Sequence, residues 1–471
     1  MKPEDFPTWQ GVDNTDMALA ILFIAKESVA YEWGELFFYH NIDQDESYKS
    51  VNTMANLQEN TSFFVCRKEK SIFVLIKPYN LSIMKSKLIL LLLFFVSASY
   101  AQQNVMAKQS AIVSPQVNED NSVTFRLHAP KAKLVEVIGD WEPLNGKGTM
   151  VRGKDGVWEY STPVLPSEMY TYRFKIDGVV VTDPTNPFVR RDVGNQFSVF
   201  FIGNGCADYY QVRDVPHGSM TTTWYHSNAL NADRRISIYT PPFYGKMNKS
   251  YPVLYLLHGS GGDELAWVEL GNVARIMDNL IAEGKAEPMI VVMPNGNVSK
   301  QAAPGETSEN LAYRPVSTNQ LPGYKNGTYE MAFTEIVNFV DATYRTIPKK
   351  ESRAVAGLSM GGFHTLFIST NHPTLFDYIG MFSAGINFKS VNMELPAYVD
   401  LDGKLKNLHE VGYKLFWIAC GDTDFLYEAN KDFLKRLDTL KVPYEYHESS
   451  RGHLWANWRQ YMLKFVPKLF K

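Results

Sequence analysis

The sequence predicts an α/β protein, a mainly parallel sheet with helices on both faces, preceded by a small all-β sandwich. Three observations predict it. From about residue 215 to the end, apolar strand-like runs alternate with helix-like segments, the pattern of an open parallel sheet. Between residues 118 and 178, short period-two runs are separated by turn residues, the pattern of a sandwich of about 100 residues. Within the second region a glycine-flanked serine, at 357–362, lies between an apolar strand and a helix.

The elements follow in chain order. Residues 1–83 have no consistent periodicity. Residues 84–101 begin Met-Lys-Ser-Lys, continue as an apolar run over 88–96 and end in small residues before Gln102. That is the layout of a signal peptide, and the apolar core is shorter than the roughly 20 residues of a transmembrane helix. The expectation is an exported protein whose true start is Met84, with 1–83 a mistranslated upstream extension and no stable membrane anchor. The sandwich is expected over 108–203, with strands at 123–127, 134–138, 156–160 and 170–176. A turn-rich connection over 204–232 leads into the second module, 215–471. There, strands are expected at 235–240, 251–257, 289–293, 352–357, 415–420 and 444–447. Helices are expected at 331–344, from Phe363 onward, and at 427–440.

Composition excludes some functions. The 471 residues carry a formal charge of −3, so nothing points to nucleic acid or an anionic membrane surface. Apolar material is ample for a large core, at 45%. Cys66, Cys206 and Cys420 fit no C-x-x-C or metal-ligand spacing, so a cysteine zinc site is not expected; separately, the serine chemistry of 357–362 requires no metal or organic cofactor. Cys420 ends an apolar run and reads as a buried thiol, although pairing with Cys206 stays open.

The motif Gly-Leu-Ser-Met-Gly-Gly at 357–362 carries the chemistry. G-x-S-x-G between a strand and a helix is the nucleophile elbow of the α/β-hydrolase fold. It would lift the Ser359 hydroxyl above the strand end, beside helix N–H groups that favour developing negative charge. A serine hydroxyl needs a base to take its proton. In this fold the base follows the acid and the serine in the chain, which selects His453, in a glycine-preceded loop near the C-terminus, over His364, His372, His409 and His447. The acid belongs in the loop after the 415–420 strand; Asp424 is the choice and Asp422 the runner-up. Two N–H donors should meet the oxyanion: that of Met360, after the nucleophile, and that of Ser260 in the glycine-rich loop 258–262.

With these residues assigned, the second module resembles the esterase D-type hydrolases, most closely carbohydrate esterase family 1. The resemblance rests on L-L-H-G-S-G-G-D-E-x-x-W, V-V-M-P-N, R-A-V-A-G-L-S-M-G-G and G-H-L-W-x-x-W-R. It implies a serine esterase with Ser359, Asp424 and His453 as triad, Ser260 and Met360 as oxyanion hole, and Trp267, Phe363, Trp455 and Trp458 near the substrate. Phe363 stands where a third glycine is more usual. The implied reaction is feruloyl or acetyl ester hydrolysis on xylan. The first module, with V-T-F-R-L-H-A-P, V-I-G-D-W, Y-R-F-K-I-D-G and D-P-T-N, is similar to the early-set immunoglobulin-like modules of carbohydrate-binding module family 48. That implies sugar binding, with Trp141 and Trp158 as stacking platforms, or simple packing of both rings. Siderophore esterases of the enterobactin type share this pairing of modules and are the main rival reading. A carbohydrate-binding protein with an inactive hydrolase module is the non-enzyme alternative. The oligomeric state is not legible.

Overall fold

The computed structural model describes residues 112–141, 146–192, 194–298, 303, 325–386, 388 and 391–471, together with the backbone of five strands between residues 20 and 76. The signal-like segment 84–101 lies outside the described residues. The chain divides into two compact units, Met1–Gln109 and Ser110–Lys471. The first holds the antiparallel strands Ala20–Ile24, Gly34–Tyr39, Asn52–Asn56, Ser62–Lys68 and Ser71–Ile76. They pair in the spatial order first, second, fifth, fourth, third, an arrangement the sequence reading did not foresee.

The second unit opens with the sandwich. One sheet orders Val151–Arg152, Val157–Ser161, Val123–His128 and Gln116–Val117. The other orders Val189–Asp192, Asn195–Ile202, Glu168–Ile176, Val135–Gly139 and Lys147–Thr149, with Val179–Val181 paired to Glu168–Ile176. Alternation sends Val123, Phe125 and Leu127 of one sheet inward against Val135, Val137, Tyr172 and Phe174 of the other. Trp141 and Trp158 join that core, which selects packing of both rings over the sugar-stacking alternative. Trp141 is 2% exposed and stacks on Phe125 at 5.4 Å. The Trp158 indole N–H donates to the Ala129 carbonyl at 2.9 Å inside the module. A ring enclosed on both faces has none left for a ligand.

The α/β domain is built on eight strands: β1 (Ser219–Ser227), β2 (Ala232–Thr240), β3 (Val253–Leu257), β4 (Ile290–Pro294), β5 (Arg353–Leu358), β6 (Tyr378–Phe382), β7 (Leu415–Gly421) and β8 (Glu445–Ser449). Their spatial order is β1-β2-β4-β3-β5-β6-β7-β8. The β1–β2 and β2–β4 pairs are antiparallel, and every pairing from β4 to β8 is parallel. Strands β3 to β7 are buried at every position, as continuous apolar runs covered on both faces must be. The helices are α1 (Ala266–Glu269), α2 (Val273–Ala282), α3 (Thr328–Met331), α4 (Phe333–Thr343), α5 (Met360–Asn371), α6 (Leu401–Val411), α7 (Tyr427–Leu440) and α8 (Trp455–Phe465). Apolar side chains of α2 and α8 pack in one cluster, while those of α5, α6 and α7 pack in another.

Some elements differ from the sequence reading. β1 falls where a connection was expected, because its threonine-rich edge buries only Tyr225 and Ser227. The single helix expected over 331–344 is two, α3 and α4, which meet at Ala332. β6 carries Gly380 mid-strand, which masked it in the pattern. A Cβ there would lie 2.8 Å from the Cβ of Ala356 and 2.8 Å from the Phe465 ring, so the strand needs glycine for close packing.

Candidate active site

The parallel strands converge their C-terminal ends on one edge, and the chemistry collects there. Ser359 joins β5 to α5 with φ 53° and ψ −113°, a conformation L-residues rarely adopt. Its N–H donates to Phe382 O at 2.9 Å, and its carbonyl accepts from Gly385 N at 2.7 Å and Phe363 N at 3.1 Å. The turn also needs Gly361, where a Cβ would lie 2.4 Å from the Leu257 carbonyl oxygen. The elbow is therefore pressed against the end of β3, and Ser359 is left half-buried at the start of the twelve-residue α5.

Asp424 stands in the loop after β7. Its N–H donates to Gly421 O at 3.1 Å, and its Oδ1 accepts from Leu426 N at 2.9 Å. Both carboxylate oxygens face His453 Nδ1, at 3.0 and 2.9 Å. Burial pushes this carboxyl up, but the hydrogen bond and charge of His453 outweigh it, and the group sits below its ordinary range. Asp422, the alternative acid, is exposed, and its N–H extends the sheet to Ser449 O at 2.8 Å. With Nδ1 turned to Asp424, the neutral His453 ring carries its proton there and presents Nε2 as an acceptor. Two rings hold the imidazole. Phe425 lies 4.5 Å away and Trp458 meets it edge-on at 4.9 Å. Phe425 is 75% exposed, and the sequence reading missed it; its place directly after the acid was the available signal.

The glycine-rich loop after β3 closes the site. His258 is buried, its Nδ1 2.7 Å from Gly259 O, while Gly296 N donates to its Nε2 at 2.8 Å. Burial pushes its pKa down to about 4, so the ring is neutral, and these contacts fix the proton on Nδ1. A Cβ on Gly259 would lie 3.4 Å from Ser359 Cβ, so this loop touches the elbow. Ser260 is exposed on the loop, and Met360 is the buried first residue of α5. The two residues expected to donate to an oxyanion thus come from segments in mutual contact.

The aromatic residues expected at the substrate need correction. Trp267 is 1% exposed, and its indole N–H donates to Leu257 O at 3.0 Å, propping the end of β3. Phe363 is fully buried against Phe367 and Tyr398, because its position on α5 faces the core. Trp458 is buried behind His453. Trp267, Trp455 and Trp458 form an edge-to-face series at 5.3 and 5.1 Å that ends on the imidazole. Trp455 alone of the four remains half-buried. His364 packs inside, its Nδ1 2.8 Å from Glu330 Oε1. Cys206 and Cys420 are both free thiols. Among the described residues no cluster of His, Cys, Asp and Glu is arranged to hold a metal, and no helix is long and apolar enough to cross a membrane. A groove of about 820 Å³ lies on the sandwich, with Arg126, Arg152, Glu159 and Tyr160 among its lining.

Comparison with known proteins identifies the family of each module. The esterase family described as "Putative esterase" matches residues 227–469, and carbohydrate-binding module 48 (isoamylase N-terminal domain) matches 112–186. An endo-1,4-beta-xylanase/feruloyl esterase of Xylanibacter ruminicola is 32% identical over 380 residues, 76% of this chain and 46% of that protein. An esterase of Mycobacterium tuberculosis (strain CDC 1551 / Oshkosh) is 26% identical over 310 residues, 56% of this chain and 62% of that protein. The chain thus spans about half the length of the curated relatives it matches. Among solved structures, the enterobactin esterase of Shigella flexneri shares the fold at TM-score 0.53 and 18% identity, over 74% of this chain and 93% of that one.

Proposed function

The chain belongs to the esterase family and carries a carbohydrate-binding module 48 ahead of its hydrolase domain, and from that premise we propose that this serine esterase is exported and cleaves feruloyl esters from arabinoxylan. Ser359 is the nucleophile, His453 the base and Asp424 the residue that orients the base. One observation carries these roles: Asp424 holds His453 Nδ1 with both oxygens at the sheet edge where Ser359 is strained outward. The Ser359 Oγ attacks the ester carbonyl carbon as His453 Nε2 takes its proton. The resulting oxyanion is met by the N–H groups of Met360 and Ser260. The intermediate collapses, the sugar hydroxyl leaves with the proton from His453, and an acyl-Ser359 remains. Water then gives its proton to His453, attacks the acyl carbon and releases the acid.

The xylan substrate is supported by the likeness to the Xylanibacter xylanase/feruloyl esterase, and a carbohydrate substrate more generally by the carbohydrate-binding module. Export is supported by the signal-like run at 84–101, and N-terminal sequencing of the secreted protein should begin near Gln102. Acetyl xylan is the nearest alternative substrate. The likeness of both modules to an enterobactin esterase keeps a catecholate ester as a second reading. Feruloylated arabinoxylan oligosaccharide, acetylated xylan and a catecholate ester, offered at equal concentration, separate the three. Ferulate release should be fastest, and preference for either other ester would overturn the assignment. Ser359→Ala should lower kcat about 10⁶-fold on every ester turned over. Retained turnover in that variant would remove Ser359 from the chemistry.

A further inference from the structure

We propose that the sandwich is a working part of the esterase site, with Arg191 as a positioning residue for the oxyanion loop. This rests on the reading that the 258–262 loop receives the oxyanion. The sandwich strand Val189–Asp192 packs beside α1 of the hydrolase domain. Its Arg190 Nε lies 3.7 Å from Glu269 of α1. Its Arg191 Nη2 lies 2.8 and 2.7 Å from the two oxygens of Asp263. Asp192 is desolvated, which pushes its carboxyl up, and a hydrogen bond from Trp455 at the start of α8 opposes that.

Asp263 is the pivot. It directly follows Gly262 and is 2% exposed. Its Oδ1 accepts from Leu265 N at 2.9 Å and its carbonyl from Ala266 N at 3.1 Å, which starts α1. The loop that touches Ser359 is therefore tied at its far end to a carboxylate whose countercharge comes from the other module. A second buried tie reaches the histidine side. Arg459 of α8 is fully buried, with Nε 3.1 Å from Glu168 Oε1 and Nη2 donating to Met169 O at 2.8 Å, both in the sandwich, while Nη1 donates to Leu270 O at 2.8 Å. The module thus grips the segments that carry the oxyanion donor and the base.

A buried carboxylate stripped of its partner recruits water, takes a proton or moves, and each response displaces the adjoining loop. Oxyanion donors act over a few tenths of an ångström, and a misplacement of about 1 Å can cost about 100-fold in rate. The cost should fall on kcat, because donors to the oxyanion bind the transition state and not the ground state.

The test uses the full chain and p-nitrophenyl acetate, an ester too small to involve a sugar-binding surface. Arg191→Ala and Asp263→Asn are each compared with the parent, with competent sites counted by the acetyl-enzyme burst so that unfolded protein is excluded. Asp263→Asn keeps an acceptor for Leu265 N–H and so protects the start of α1. The expected result is a drop of about 10- to 100-fold in kcat per competent site for each variant. KM should stay within about threefold, Arg191→Lys should recover part of the loss, and the double variant should be no worse than the poorer single one. Unchanged kcat per competent site in Asp263→Asn or Arg191→Ala would overturn the proposal, as would losses that multiply in the double variant. The outcome is separate from the feruloyl assignment, which the ester panel decides, and from the role of Ser359, which its own alanine variant decides.

Discussion

Trp158 in the sandwich and Trp458 in the hydrolase domain are equally enclosed, each 6% exposed, yet only one stands beside a reacting group. The Trp158 ring fills the space between two sheets and spends its N–H on a backbone carbonyl of its own module. The Trp458 ring abuts His453 at 4.9 Å. Burial and residue type are the same, and the architecture makes the difference. A sandwich covers only one face of each strand, so its largest rings go inward and any ligand must use the outer faces or the loops. The parallel sheet is covered on both faces, so its reactive groups are driven to the strand ends, where the loops after β5, β7 and β8 meet.

The sharpest way to break this comparison is to exchange the two acids of one strand end. Asp424→Asn should lower kcat about 10⁴-fold with p-nitrophenyl acetate, because the amide can hold the wrong imidazole tautomer. Asp422→Asn should stay within about threefold, as expected of an exposed carboxylate that only borders the loop. Reversed magnitudes would mean that the strand end does not select the acid as described. In the sandwich the corresponding change is one of stability. Trp141→Ala should destabilise the module by about 3–5 kcal/mol, read from urea unfolding, because it empties the core beside Phe125. Loss of polysaccharide binding with no change in unfolding would restore Trp141 as a platform.

The smallest expected effect is a difference in acid response. The folded-state pKa of His258, about 4, lies below its ordinary 6.5. Between those values the unfolded chain takes a proton that the folded chain refuses, so stability is full above about pH 6.5 and falls as the pH drops towards 4. At pH 5 the loss should be on the order of 2 kcal/mol. The urea midpoint of His258→Asn should therefore change less between pH 7 and pH 5 than that of the parent. Asp140 of the sandwich runs the other way. Burial raises it from 3.8 to about 6, so its contribution falls as the pH rises through that window. Asp424, held below 3.8, bears on stability only at lower pH, where protonation would break its bond to His453. Equal slopes for parent and His258→Asn would mean that the buried ring is not the proton site.

Much of the active site was legible because its signals are local. Gly357, Ser359 and Gly361 specify the elbow through backbone requirements that only those neighbours satisfy. The order of serine, acid and histidine follows from strand order, and Asp424 was preferred to Asp422 because the turn at Gly421 needs a few residues before a side chain can reach back. The aromatic residues were misjudged for the complementary reason. A one-dimensional pattern gives the period of a strand or helix but not which of its faces another element covers, so Trp267 and Phe363 were expected at the substrate, Trp141 and Trp158 were left open, and all four lie in cores. β1 was missed because its pairing with β2, not its own apolar content, makes it a strand.

By itself the sequence determined the two-module α/β architecture and the serine turn, and it singled out His453 and Asp424 as candidates, because these depend on backbone conformation and chain order. Only the tertiary structure decided which rings are walled in and that both oxygens of Asp424 face His453. It also decided that Arg191 and Glu168 of one module supply charge to Asp263 and Arg459 of the other. Those pairings join residues far apart in the chain, and a buried charge finds its counterion through space.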